Sequence, residues 1–225
     1  VQALVEPSRG RPIGITAALR GAGGYGKTTL ARAVCWDQRV IDTFPDGVLW
    51  ITLGENPSAH ALVGKIGDLV EALSGERFWY IELVPAAARL RELLKKRSVL
   101  LVIDDVWQRS SLAPFLQPES KSVCLITTRR DDSLPYETER IKVDAMRPAE
   151  AVDLLRSELP SGEDAGMREL AARLGEWPLL LKLVNGVLRG RVKLGETLQE
   201  ALAYGNQEWT KRGITAFDMR DAQQR

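Results

Sequence analysis

Residues 15–37 constrain the fold more tightly than any other stretch of the chain. Ile15-Thr16-Ala17-Ala18-Leu19-Arg20 is a short apolar run that reads as a strand. Gly21-Ala22-Gly23-Gly24-Tyr25-Gly26-Lys27-Thr28 follows it, and Lys27 to Asp37 has a helical pattern. A glycine-rich loop that leaves a strand and enters a helix on Gly-Lys-Thr is the pattern of a phosphate-binding loop. Glycines let the backbone curl until successive N–H groups point inward at one anion. The N-terminus of the following helix adds its positive end. Lys27 supplies a point charge for the β- and γ-phosphates, and the Thr28 hydroxyl suits Mg²⁺. The bland alternative is a glycine-rich turn with a surface lysine, and the matching strand and helix on either side argue against it. The candidate nucleotide contacts here are Gly21, Gly23, Gly24, Tyr25, Gly26, Lys27, Thr28 and Thr29.

Downstream, strand and helix patterns alternate. Val48–Leu53 is a second strand, and Ser58 can cap a helix whose apolar face is Leu62, Ile66, Leu69, Val70 and Leu73. A helix from about Pro85 to Lys96 follows, with cationic Lys95 and Lys96 at its negative end. Val99–Asp104 is apolar on both faces, as a covered central parallel strand should be. Ser122–Thr127 and Arg140–Val143 complete five strands. The expectation is an α/β domain with a parallel sheet over residues 1–143. From Asp144 onward strand patterns stop. Helical patterns begin at Arg147-Pro148, around Met167–Leu174, over Leu179–Leu188 and from Glu196 to about Arg212, which predicts a small four-helix subdomain over 144–225.

Two further places carry chemistry. Asp104 and Asp105 end the third strand, and ligands of open parallel sheets sit beyond the carboxyl ends of the strands. Asp104 is the candidate metal ligand beside Thr28. Asp105 either orients or deprotonates an attacking water or caps the next segment. Thr127-Thr128-Arg129-Arg130 ends the fourth strand, where the Arg129 guanidinium could reach a γ-phosphate and distinguish ATP from ADP. Arg130 is the weaker candidate, since paired arginines at loop starts are usually solvated.

With 31 Lys and Arg against 30 Asp and Glu, the chain has no general pull toward nucleic acid or an anionic membrane. No apolar run approaches the roughly 18 residues of a membrane helix, and an intracellular, cytoplasmic setting is expected. Cys35 and Cys124 belong to no metal-type cluster and are expected as buried reduced thiols. His60, the single histidine, is expected at the surface near a helix start. A start other than Met and a charged, polar end at Arg220–Arg225 fit an excised piece of a longer protein.

The chain resembles the NB-ARC group of STAND ATPases, the nucleotide-binding modules of plant resistance proteins and of the apoptotic protease-activating factor. The matching stretches, in the family's order, are 21–31 (GAGGYGKTTLA), 44–50 (FPDGVLW), 100–107 (LLVIDDVW), 126–129 (ITTR) and 175–180 (GEWPLL). The double Asp followed by Val106-Trp107, with Thr127-Thr128-Arg129 later, is far more specific than the loop alone. The resemblance implies a sheet order of 5-1-4-3-2 and a first ARC subdomain after Asp144. It also implies that Pro178 packs near the adenine, although Glu176-Trp177-Pro178 stands where the family motif has Gly-Leu-Pro. Further domains of a longer chain are implied as partners: a winged helix, an effector and sensor repeats, with self-association in the ATP state.

The first functional expectation is therefore an ATP/ADP switch with Mg²⁺ and slow hydrolysis. The alternative is a mechanical ATPase of the AAA+ type, but such proteins usually carry Glu, not Asp, at the position of Asp105. A helicase-like nucleic-acid module is disfavoured by the charge balance. Steady-state turnover separates the first two, since well above about one event per second favours the motor.

Overall fold

The computed structural model describes residues 1–5, 13–17, 23–116 and 121–217, with the backbone alone for 13–17. The chain divides into two compact units. Val1–Gly23 and Lys27–Val143 form the first, and Gly24–Gly26 and Asp144–Arg225 the second, so the division runs through the glycine loop.

The first unit begins with a short helix α1 (Gln2–Val5) and strand β1 (Ile13–Ala17). After the glycine loop come α2 (Lys27–Cys35), α3 (Gln38–Thr43), β2 (Val48–Gly54), α4 (Ala59–Ser74), α5 (Leu83–Lys95), β3 (Leu100–Val106), β4 (Val123–Thr128) and β5 (Glu139–Val143). The strands form one parallel sheet in the order β2-β3-β4-β1-β5. The position of β3 explains why Leu100–Ile103 is apolar throughout. Leu101 and Ile103 enter one core with Ile66, Leu90, Leu94 and Phe115, while Leu100 and Val102 enter another with Ala31, Val40 and Phe44. Alternate side chains of one strand thus face opposite layers, and both are dry.

The ends of the elements follow local chemistry. Ser58 caps α4 by accepting from the Ala61 N–H at 3.2 Å, and Gly75 closes the helix in the left-handed region with its N–H on the Glu71 carbonyl. The helical pattern predicted to run to Asp37 stops at Cys35, because Asp37 instead caps α3, accepting from the Arg39 N–H at 3.0 Å. α3 was not anticipated. β1 starts two residues before the apolar run, since Gly14 gives no hydrophobic signal yet pairs through its backbone with both Ile126 and Arg140. Residues 18–20 of the expected strand lie outside the described residues.

The second unit holds α6 (Pro148–Arg156), α7 (Asp164–Arg173), α8 (Pro178–Lys193) and α9 (Leu198–Arg212). Its core joins Leu155, Met167, Leu170, Leu181, Val184, Leu188 and Ala201. Buried Asn185 of α8 donates to the carbonyls of Leu155 and Ser157 at 2.9 and 2.8 Å, satisfying the end of α6. α8 runs five residues beyond the expected Leu188. Its cationic last turn is held by Arg191, which pairs with Glu196 and lies 3.7 Å from the Tyr204 ring centre.

Both cysteines are free. Burial pushes the Cys124 thiol up to about 12, which makes it inert. Cys35 is only half-buried, a correction to the expected burial, because it ends α2 next to exposed Trp36. His60 is exposed in the first turn of α4. Among the described residues no helix is long and apolar enough to cross a membrane.

Candidate functional site

β3 carries Asp104 to the carboxyl edge of the sheet in register with Thr52 of β2. Immediately afterwards the pairing of β3 with β4 slips between Ile103 and Val106. Asp105 sits inside that irregularity with φ 54°, in the left-handed region that few residues other than glycine adopt. The bulge frees the Asp105 N–H from the ladder, and it donates to Thr127 Oγ1 at 3.0 Å. Asp104 Oδ1 accepts from two hydroxyls, Thr28 Oγ1 at 2.8 Å and Thr127 Oγ1 at 2.6 Å. Asp104 is buried, and such charge-assisted bonds, each about 1.5–3 kcal/mol, offset the cost of removing a carboxylate from water. Thr28 and Asp104 are thus adjacent oxygen donors of the kind Mg²⁺ takes when phosphate oxygens complete its shell.

Lys27 opens α2 and is buried. Burial lowers its pKa, and Arg129 lowers it further, while Asp105 and Asp104 oppose both effects. A cation held in this way is one that an arriving anion stabilises. Arg129 follows β4. Its Nε lies 3.8 Å from Asp105 Oδ1, and its guanidinium carbon lies 5.3 Å from the Trp107 ring centre. It also reaches the glycine loop: a Cβ placed on Gly23 would meet Nη1, Cζ and Nη2 of Arg129 at 3.1, 3.2 and 3.3 Å. Arg130 turns away to pair with Asp132 at 2.7 Å. Thr128 secures that turn, donating to the Val106 carbonyl at 2.6 Å and accepting from the Arg130 N–H at 2.9 Å.

The remaining loop residues pack within the second unit. The Leu179 N–H, one of the unpaired donors in the first turn of α8, donates to the Gly24 carbonyl at 3.2 Å. The Tyr25 ring is buried and stacks on Trp177 with centroids 6.0 Å apart and planes inclined by 27°. Pro178 occupies the first position of α8, directly between Trp177 and Leu179. Glu176, where the family motif has glycine, takes φ 46°.

Gly23, Lys27, Thr28, Asp104, Asp105 and Arg129 therefore come together in the first unit, and Gly24, Tyr25, Gly26 and Pro178 belong to the second. Thr29 is exposed on α2, and Gly21 lies outside the described residues. Thr127 was missed as a site residue. The repeated Thr127-Thr128 was visible, but its link to Asp104 depends on how β3 and β4 align. The Tyr25–Trp177 stack joins positions 152 apart in the chain and had no local signal.

A parallel sheet with a strand, a glycine loop and Lys-Thr opening a helix, with an acid at the end of a neighbouring strand, defines a P-loop NTPase fold. Solved structures share it. The STAND protein with a tetratricopeptide repeat sensor from Pyrococcus horikoshii superposes with a TM-score of 0.54 at 20% identity, over 82% of this chain and 28% of that one. The ORC2 protein of Aeropyrum pernix superposes with 0.62 at 14% identity, over 90% of this chain and 64% of that one. At these identities the likeness concerns the fold alone. The NB-ARC domain profile matches residues 2–164, and the chain belongs to the NB-ARC family. Relatives include disease resistance protein RGA2 of Solanum bulbocastanum, 29% identical over 191 residues, covering 75% of this chain and 19% of that protein. Regulatory protein AfsR of Streptomyces coelicolor is 28% identical over 194 residues, covering 83% of this chain and 19% of that protein. The chain spans about a fifth of the length of these two relatives.

Proposed function

We propose that this chain is the nucleotide-operated switch of a larger signalling protein, holding ADP or ATP with Mg²⁺ and hydrolysing ATP slowly. The observation that carries the proposal is the convergence of the Thr28 and Thr127 hydroxyls on one oxygen of buried Asp104. A carboxylate positioned by two hydroxyls beside a buried lysine is poised for a metal–phosphate pair. Thr28 and Asp104 would hold the metal, which supplies charge neutralisation at the β- and γ-phosphate oxygens. Lys27 provides a cation facing those phosphates. Asp105 orients or deprotonates the attacking water, and Arg129 registers the γ-phosphate. Pro178 contributes a rigid apolar ring to the adenine. In this scheme ADP keeps the whole protein closed, and exchange for ATP opens it for self-association.

Identifying the nucleotide released on denaturing the purified chain tests the proposal directly; none, together with no binding in calorimetry, would overturn it. Asp104→Ala is expected to lower ADP affinity about 10- to 150-fold in magnesium, the equivalent of one or more lost charge-assisted contacts, with little effect in EDTA. Equal losses in both buffers would remove Asp104 as the metal ligand. Arg129→Ala is expected to weaken a non-hydrolysable ATP analogue more than ADP, and equal losses would exclude the sensor role. Adding ADP is expected to protect the amides of residues 179–181 from hydrogen exchange, less so in Pro178→Ala. Unchanged protection in the unmodified chain would remove Pro178 from the nucleotide contacts.

A further inference from the structure

The geometry points to Trp107 as the positioning residue of the γ-phosphate sensor: its indole face holds the Arg129 guanidinium against Gly23 and leaves the N–H edges of that guanidinium for phosphate. This rests on the proposal above that Arg129 senses the γ-phosphate.

Arginine is long and flexible, and a free side chain in its place would lose much rotamer entropy on meeting a ligand. Here three contacts restrict it. The loose pair with Asp105, at 3.8 Å, engages Nε, leaving Nη1 and Nη2 outside that contact. Nη1, Cζ and Nη2 are nearly equidistant from the Cβ position of Gly23, between 3.1 and 3.3 Å. An in-plane approach would place Cζ clearly farther than the two nitrogens, so the guanidinium lies with its plane toward Gly23. The absence of a side chain at position 23 makes room for it. The Trp107 ring centre stands 5.3 Å from Cζ, within cation–π range. Trp107 Nε1 is buried and makes no hydrogen bond among the described residues, although buried tryptophans usually find one.

Face and edge contacts of a guanidinium are compatible. The indole can therefore stay in place when phosphate arrives at Nη1 and Nη2, which the Asp105 contact at Nε leaves open. Trp107 thereby lowers the ordering cost of the ATP state and leaves the ADP state, which has no γ-phosphate, unaffected.

The test compares Trp107→Leu, Trp107→Phe, Arg129→Ala and the Trp107→Leu/Arg129→Ala double variant by calorimetry with Mg²⁺ and either ADP or a non-hydrolysable ATP analogue. Trp107→Leu is expected to weaken the analogue about two- to fivefold and leave ADP unchanged, with Phe retaining most of the affinity. In the Arg129→Ala background the tryptophan change should add nothing. Equal weakening of both nucleotides by Trp107→Leu, or a further loss in the Arg129→Ala background, would overturn the positioning role. Should Trp107→Leu fail to fold, site-specific fluorinated tryptophans at 107 keep the shape and weaken the ring's negative face. Analogue affinity must then fall with fluorination while ADP affinity does not; a flat series rejects the proposal. If Arg129→Ala itself fails to separate the two nucleotides, the sensor assignment is what has failed. If it separates them and Trp107 does not matter, only the positioning role has failed.

Discussion

Replacing Lys27 by alanine is expected to reduce ADP affinity about 30- to 1000-fold, because in the proposed site it removes the buried cation assigned to the phosphates, a loss of ~2–4 kcal/mol. The fold should survive. Burial, helped by Arg129, lowers the Lys27 pKa, so the surroundings disfavour its charge at neutral pH. Alanine removes that penalty, and the Tm of the nucleotide-free chain should stay level or rise. Titration calorimetry with ADP and a thermal melt without it separate the two effects. Unchanged ADP affinity would end the phosphate-loop assignment, and a large drop in Tm would show that Lys27 supports the fold instead.

Gly24→Ala is expected to cost ~2–5 kcal/mol, and Gly26→Ala only ~1–2 kcal/mol. Both glycines have φ +83°, so alanine is strained at either. They differ in space. A Cβ on Gly24 would lie 2.6 Å from Leu179 Cβ and 3.1 Å from Trp177 Nε1, whereas one on Gly26 meets nothing within 4 Å. Leu179 Cβ is fixed to the first turn of α8 and cannot swing aside, so the loop must move and lose the bond from the Leu179 N–H to the Gly24 carbonyl. Melts of the two variants check the ranking. Equal destabilisation would mean that backbone strain alone decides the cost and that packing on Leu179 contributes nothing.

The alternation of apolar strands with amphipathic helices sufficed to read the α/β class, because burial on two faces forces an uninterrupted apolar run such as Leu100–Ile103 of β3. Boundaries were less legible where backbone pairing or capping overrides hydrophobic pattern, as at Gly14 and Asp37. The last turn of α8 escaped notice for a related reason: it is rich in glycine and cations, and its Arg191 is held by Glu196 and Tyr204, which come later in the chain.

For the site, residue types and their order along the chain were enough to nominate Lys27, Thr28, Asp104 and Arg129, since a phosphate loop, a strand-ending acid and a strand-ending arginine are local patterns. By itself the sequence determined the class of fold and the chemical inventory. Only the tertiary structure decided who meets whom. Thr28 and Asp104 are 76 positions apart and Thr127 a further 23 from Asp104, so their shared oxygen exists only because β3 and β4 pair as they do. The turn of Asp105 into the left-handed region, the place of Arg129 on Trp107 and the stack of Tyr25 on Trp177 arise in the same way. Each depends on a register or a packing distance set by the whole core, which no local stretch of sequence encodes.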